Sequence, residues 1–263
     1  MTIKRIDKLK YARKVLLAQD KISTKYFRKI KAELKTVGDE LAKSYLDNGN
    51  DSKFQGIGQD HEKRLVVILT ELSRVTNQTF RSIGIISIKS VFDTLDTSIE
   101  SQILGVLAAN VLTTSAEIAD TTIASASAVI IQQMKISQNI EPDKYIPSIS
   151  RMIAKKIGGN GAKSRAMTIA RTETHKAANV SQFTRAEMAA TDSGLDVQIE
   201  WISTNDGRRV RDSHRNVNGG KTIAIGEKFN VGGTKMKYPS DPSGGAANVI
   251  NCRCVLGYHV PEE

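Results

Sequence analysis

The chain has 263 residues, 40% hydrophobic and 25% charged, with a formal net charge of +10. It is long enough to bury a real core, and its balance is that of an ordinary soluble protein. Two cysteines spaced C-x-C exclude a disulfide framework, and Met1-Thr2-Ile3-Lys4-Arg5 excludes a secretory leader, so a cytoplasmic product is expected.

Charge is concentrated at the start. Residues 1–36 carry Lys4, Arg5, Lys8, Lys10, Arg13, Lys14, Lys21, Lys25, Arg28, Lys29, Lys31 and Lys35 against Asp7, Asp20 and Glu33, which accounts for +9 of the net charge. Such a run is either a solvated helix face or an arm that meets DNA or an acidic protein surface by releasing counterions. Within it Ile22, Tyr26, Ile30, Leu34, Val37, Leu41 and Tyr45 recur at spacings of three and four, the buried stripe of one long helix. Asn48–Ser52 breaks that helix and Gly56–Gly58 prolongs the break. A second helix is predicted over Asp60–Phe80, with Leu65, Ile68, Leu69, Leu72 and Val75 inward.

Ile88, Val91, Phe92, Leu95, Ile99, Ile103, Val106 and Leu107 keep a helical period, after which Ala, Ser and Thr dominate from Ala108 to Ala128. Small side chains let helices approach closely, in an internal hairpin first and against a partner second. The longest apolar stretches, around Leu65–Leu69 and Ile103–Ala109, are far short of the roughly 20 residues a membrane span needs. Glu141-Pro142 and Ile146-Pro147 resist helical geometry, so residues 136–150 read as a linker between a helical docking region (1–135) and a second domain (151–263).

In that second domain a helix is expected at about Ser148–Ile157, a stop at Gly158-Gly159-Asn160-Gly161, and a further helix to about Ala190. Val197–Ile202 alternates as a strand, and Asn205-Asp206-Gly207 is a hairpin turn leading into Arg208-Arg209-Val210. A Gly-rich passage follows, and Val249–Val255 reads as a last strand. The fold class is α+β: an elongated, mainly helical N-terminal half with a small C-terminal α+β domain.

The unusual side chains cluster late. His214, Cys252, Cys254 and His259 suit tetrahedral zinc in chemistry, although C-x-C is less usual than C-x-x-C. The thiols are therefore read first as small buried packing groups and second as ligands of a structural zinc. Asp206, Asp212 and His214 could in principle act as a metal-dependent nuclease or hydrolase, with Arg171 and Glu173 joining from the helix. They match no defined catalytic motif. The favoured reading is structural, with Arg171 and Arg211 pairing to Glu173, Asp206 or Asp212 and pinning helix to hairpin.

The ordered blocks Arg171-Thr172-Glu173, Trp201 with Asp206-Gly207-Arg208-Arg209-Val210-Arg211 and His214, then Asn218-Gly219, Pro239 and Asn251-Cys252-Arg253-Cys254, span about residues 150–258. In that order and spacing the chain resembles the phage Mu protein F-like family of minor head proteins from tailed bacteriophages. The resemblance implies a non-enzymatic protein, made in the host cytoplasm and held inside the phage head. Its partners would be the portal protein and the major capsid or scaffolding protein, with packaged DNA a further one, and no membrane in the assembled head. It would support assembly and genome packaging or ejection, with no cofactor unless a structural zinc.

Overall fold

The structure, a computed structural model, describes residues 8–83, 97–136, 141–204, 210–215 and 217–260. Among the described residues, five long helices come first: α1 (Lys8–Asn48), α2 (Phe54–Ile83), α3 (Thr97–Ile136), α4 (Pro142–Gly158) and α5 (Asn160–Ser193). Short elements follow: β1 (Gln198–Ile202), α6 (Asp212–Arg215), β2 (Ile223–Ala224), β3 (Phe229–Val231), β4 (Thr234–Met236), α7 (Gly245–Val249) and β5 (Val255–His259). The fold is α+β, with a helical N-terminal half and a few antiparallel strands near the end, as expected.

The stripe on α1 is buried: Tyr26, Ile30, Leu34, Val37, Leu41 and Tyr45 have no exposed surface. Three other expectations are corrected. Helix α2 begins at Phe54, so Gly56 and Gly58 are helical and prolong no break. Gly58 is useful there, because a Cβ at that position would come within 2.8 Å of the Ile123 side chain on α3. Helix α4 begins at Pro142 and carries Pro147 inside it, so residues 142–150 of the expected linker are helical. Tyr145, Ile146 and Ile149 pack into an apolar core there, and that burial outweighs the hydrogen bond Pro147 cannot donate. Finally, the separate short apolar runs of α3 join into one helix that is long and apolar enough, by composition, to cross a membrane; 33% of its most apolar window is buried. The Ala, Ser and Thr residues between those runs add no charge, which is why the whole helix stays apolar.

Contacts divide the chain into two compact units that do not follow sequence order. One comprises Thr24–Glu71 and Ala109–Ala170, the other Met1–Ser23, Leu72–Ala108 and Arg171–Glu263. Residues 151–170 thus belong with the first, all-helical unit.

In the helical unit, Val37, Leu41, Tyr45, Phe54, Ala126, Ile130, Ile149, Ile153 and Ile157 form one core. Beside it the Glu33 carboxylate is buried, accepts from Arg64 Nε at 2.8 Å and lies 2.7 Å from His61 Nδ1. Arg64 reaches on to Glu40 at 2.8 Å, so the buried charge is answered. Gly38 and Gly158 mark a close helix approach: a Cβ on Gly38 would lie 2.8 Å from the Gly158 nitrogen, and one on Gly158 3.0 Å from Lys35 Cα.

In the other unit, β2, β1 and β5 form an antiparallel sheet in that order, with Glu200 opposite Gly257 and Trp201 opposite Leu256. Hairpin β3–β4 closes on Gly232-Gly233, both at positive φ as a two-residue turn requires. Phe183, Ile199, Trp201, Phe229, Met236, Leu256 and Tyr258 build the core with both cysteines. Helix α5 runs through this unit buried on every side, with no exposed residue from Thr172 to Phe183. Its Arg185 donates to Glu100 (3.0 Å) and Asn77 (3.3 Å), joining α5 to α3 and α2.

Gly38→Ala should lower stability by about 1–2 kcal/mol, because overpacking against backbone outweighs the gain of about 1 kcal/mol in helix propensity. A denaturant midpoint equal to or above wild type would refute the close approach.

Candidate functional site

The late blocks of unusual residues do converge, and the segment Ile250–Cys254 is where they meet. Asn251 adopts φ +56°, a left-handed conformation that Asn tolerates better than most residues. That turn keeps Cys252 and Cys254 out of the strand, which starts only at Val255; the expected strand from Val249 is thus displaced towards the C-terminus. The Asn251 N–H donates to Thr172 Oγ1 at 3.1 Å. Asn179, one helical face along α5, donates to the Cys254 carbonyl at 3.4 Å. Thr204 Oγ1 donates to the Arg253 carbonyl at 2.8 Å, and Arg211 to the Ile250 carbonyl at 2.6 Å. Arg253 forks onto both Asp20 oxygens, at 3.0 and 3.1 Å, tying the segment to α1.

Among the described residues, Glu173, Asp212 and Arg211 have partners other than those expected. Glu173 takes Lys176 at 3.0 Å, Asp212 takes Arg215 at 3.6 Å, and Arg211 goes to a backbone carbonyl. Asp206 lies outside the described residues, as does the turn built on it. Residue 210 is not in a strand, and among the described residues β1 pairs only with β2 and β5.

At the centre of the framework sits His214, 1% exposed. Its Nδ1 lies 3.6 Å from Cys252 Sγ and 3.7 Å from Cys254 Sγ, and both thiols are buried. Its Nε2 lies 3.2 Å from Asn248 Oδ1. Trp201 packs edge-on to the imidazole (5.6 Å, 85°) and to Phe229. The Ser203 hydroxyl donates to the His214 carbonyl. A hydrogen bond from Cys254 holds the Cys252 thiol well below its ordinary pKa against the cost of burial, with His214 helping. Cys254, the donor of that bond, is pushed well above its ordinary value.

His259 is separate from this group. It lies across the sheet, 3.2 Å from the Glu200 carboxylate, which also takes Lys8. Burial pushes the Glu200 pKa up, but the hydrogen bonds from His259 and Lys8 win and lower it. Of the nuclease-like set, Asp206 lies outside the described residues, and the Asp212 side chain is 99% exposed on α6 while His214 is buried against sulfur.

Of the twelve basic residues near the start, Lys4 and Arg5 lie outside the described residues, and Lys8 and Lys29 form ion pairs with Glu200 and Glu71. Lys10, Arg13, Lys14, Lys21, Lys25, Arg28, Lys31 and Lys35 are exposed. At about 100° per residue these eight fall within an arc of about 120° on α1, one continuous basic face.

Asn248, Asn179, Asp20, Ser203 and Glu200 all serve these sites and were not singled out in the sequence. Asn248 and Asp20 follow no motif spacing, so only the fold brings them in. Asn179 carried a faint signal, lying seven residues after Thr172 on one helix face.

Residues 129–257 match the model of the family described as Phage Mu protein F like protein, beginning earlier than the resemblance at about residue 150 suggested. Neither the curated proteins nor the solved structures include a match.

Thr172→Val should cost about 1–2 kcal/mol, because it leaves the Asn251 N–H without its acceptor. Asn251→Gly should keep stability whereas Asn251→Ala should lose about 1 kcal/mol, given the left-handed backbone. Equal melting temperatures for the Gly and Ala variants would contradict that account.

Proposed function

From the match of residues 129–257 to the phage Mu protein F-like family, we propose that the chain is a phage head morphogenesis protein, a minor component inside the phage head, bound to the portal or inner capsid. There it supports head assembly and genome packaging or ejection. The family match carries this reading, and two surfaces support it. The basic face of α1 suits packaged DNA or an acidic face of the portal, capsid or scaffolding protein. On α3, Leu104, Val106, Leu112, Ile131, Met134 and Ile136 are exposed, an apolar set suited to partner helices. The role is structural and calls on no catalytic group.

Purified heads and procapsids should contain the chain in a few copies, and crosslinking within them should join α1 or α3 to portal or inner capsid. Its absence from heads, or crosslinks confined to tail proteins, would overturn the proposal. For the DNA contact, affinity of the full chain for duplex DNA should fall steeply with salt. Replacing Lys14, Lys21, Lys25 and Arg28 by Gln should flatten the log–log slope by about 0.9 per phosphate contact removed. A wild-type slope near zero would assign that face to a protein partner instead.

A further inference from the structure

We propose that His214, Cys252 and Cys254 bind a structural zinc ion that clamps α6 to the segment between α7 and β5. The decisive geometry is on the far side of the imidazole. Asn248 donates through Nδ2 to the Gly244 carbonyl (3.1 Å) and faces the Val231 carbonyl (3.5 Å). Two carbonyls orient its amide, so the atom facing His214 Nε2 is the acceptor Oδ1. Nε2 must then carry the ring proton. Nδ1 is left as a bare lone pair, aimed at two sulfurs.

A carboxamide or carboxylate that fixes the tautomer of a ligating histidine from behind is the usual support for a metal ligand. The distances agree with that role. With Zn–N about 2.05 Å and Zn–S about 2.3 Å, two vertices of a tetrahedral zinc centre lie about 3.6 Å apart. The observed separations are 3.6 and 3.7 Å, and the three ligand atoms all lie within 4.8 Å of one another. Packing alone explains the burial of two thiols, but it gives no reason for both to share one imidazole lone pair.

Asn251 supplies the local cause. In an extended strand the side chains of a C-x-C pair point the same way along a line, whereas the left-handed turn at φ +56° leads the chain out of α7 so that both sulfurs reach one point. Zinc binding displaces to solvent the protons that the two sulfurs still carry and leaves two thiolates and a neutral imidazole on the ion, so the charges of ion and thiolates cancel. That neutrality is what a site with side chains 1–3% exposed requires. Among the described residues there are three ligands. Burial assigns the ion to holding structure rather than to catalysis.

The test uses untagged full-length protein. Elemental analysis should find about one zinc per chain, and cobalt exchange should give thiolate-to-metal charge transfer with tetrahedral visible bands. Cys252→Ser and Cys254→Ser should each abolish the cobalt charge-transfer signature. Asn248→Ala should weaken zinc binding about 10- to 100-fold while leaving every ligand in place. If the serine variants fail to fold, the wild-type cobalt spectrum and its reversal by zinc still decide. Folded wild-type protein that takes up neither zinc nor cobalt on titration sinks the proposal, whether its thiols are free or joined in a disulfide. So does metal held equally well by wild type and Cys254→Ser.

Discussion

Helix α5 is closed off from water along Thr172–Phe183, and the rest of its unit is arranged to answer the polar groups on it. A helix buried on all sides is normally apolar all round. This one instead carries Thr172, Glu173, Asn179 and Arg185, whose polar groups would each be costly if left unmade. Lys176 answers Glu173, Glu100 and Asn77 answer Arg185, and the chain near Cys254 answers Thr172 and Asn179. The segment Ile250–Cys254 is thus held to α5 by hydrogen bonds as well as by the apolar core its cysteines share with Phe183.

That attachment determines the environment of the cysteines. Once the Asn251 N–H and the Cys254 carbonyl are held by α5, the thiols between them face away into the core, towards His214 and Trp201. Arg253 lies between the cysteines in sequence and takes Asp20 on α1. Adjacent residues of one short turn therefore serve opposite directions, one set inward and one towards a neighbouring helix. The Arg-Thr-Glu block and the Asn-Cys-Arg-Cys block are far apart in sequence because they are the two halves of one contact.

The helical unit is held together by a different principle. Its core is an aliphatic and tyrosine stripe, and two helix backbones meet closely at a pair of glycines. One buried carboxylate, Glu33, is neutralised by Arg64 beside His61. Packing density rather than hydrogen-bond matching sets this geometry, which is why small residues are frequent along α3.

Periodicity alone was enough to locate the long helices and the buried stripe of α1, because spacings of three and four report one helical face directly. The fold class and the family were legible for the same kind of reason, one from pattern and one from ordered blocks. Helix ends were not: Gly56, Gly58 and Pro147 look like breakers yet all are helical, with Gly58 packed on Ile123 and the neighbours of Pro147 packed into the core. Nor could the chain show that residues 8–23 belong with the sheet, since contact units assemble from segments remote in sequence. The sequence by itself determined which residues were unusual, namely His214, Cys252, Cys254, Thr172 and Asn251. Only the tertiary structure decided that His259 stands apart on Glu200, that Asp212 faces solvent, and that Asn248 orients the imidazole. Ligand geometry is a matter of ångströms between distant segments, and linear spacing carries no record of it.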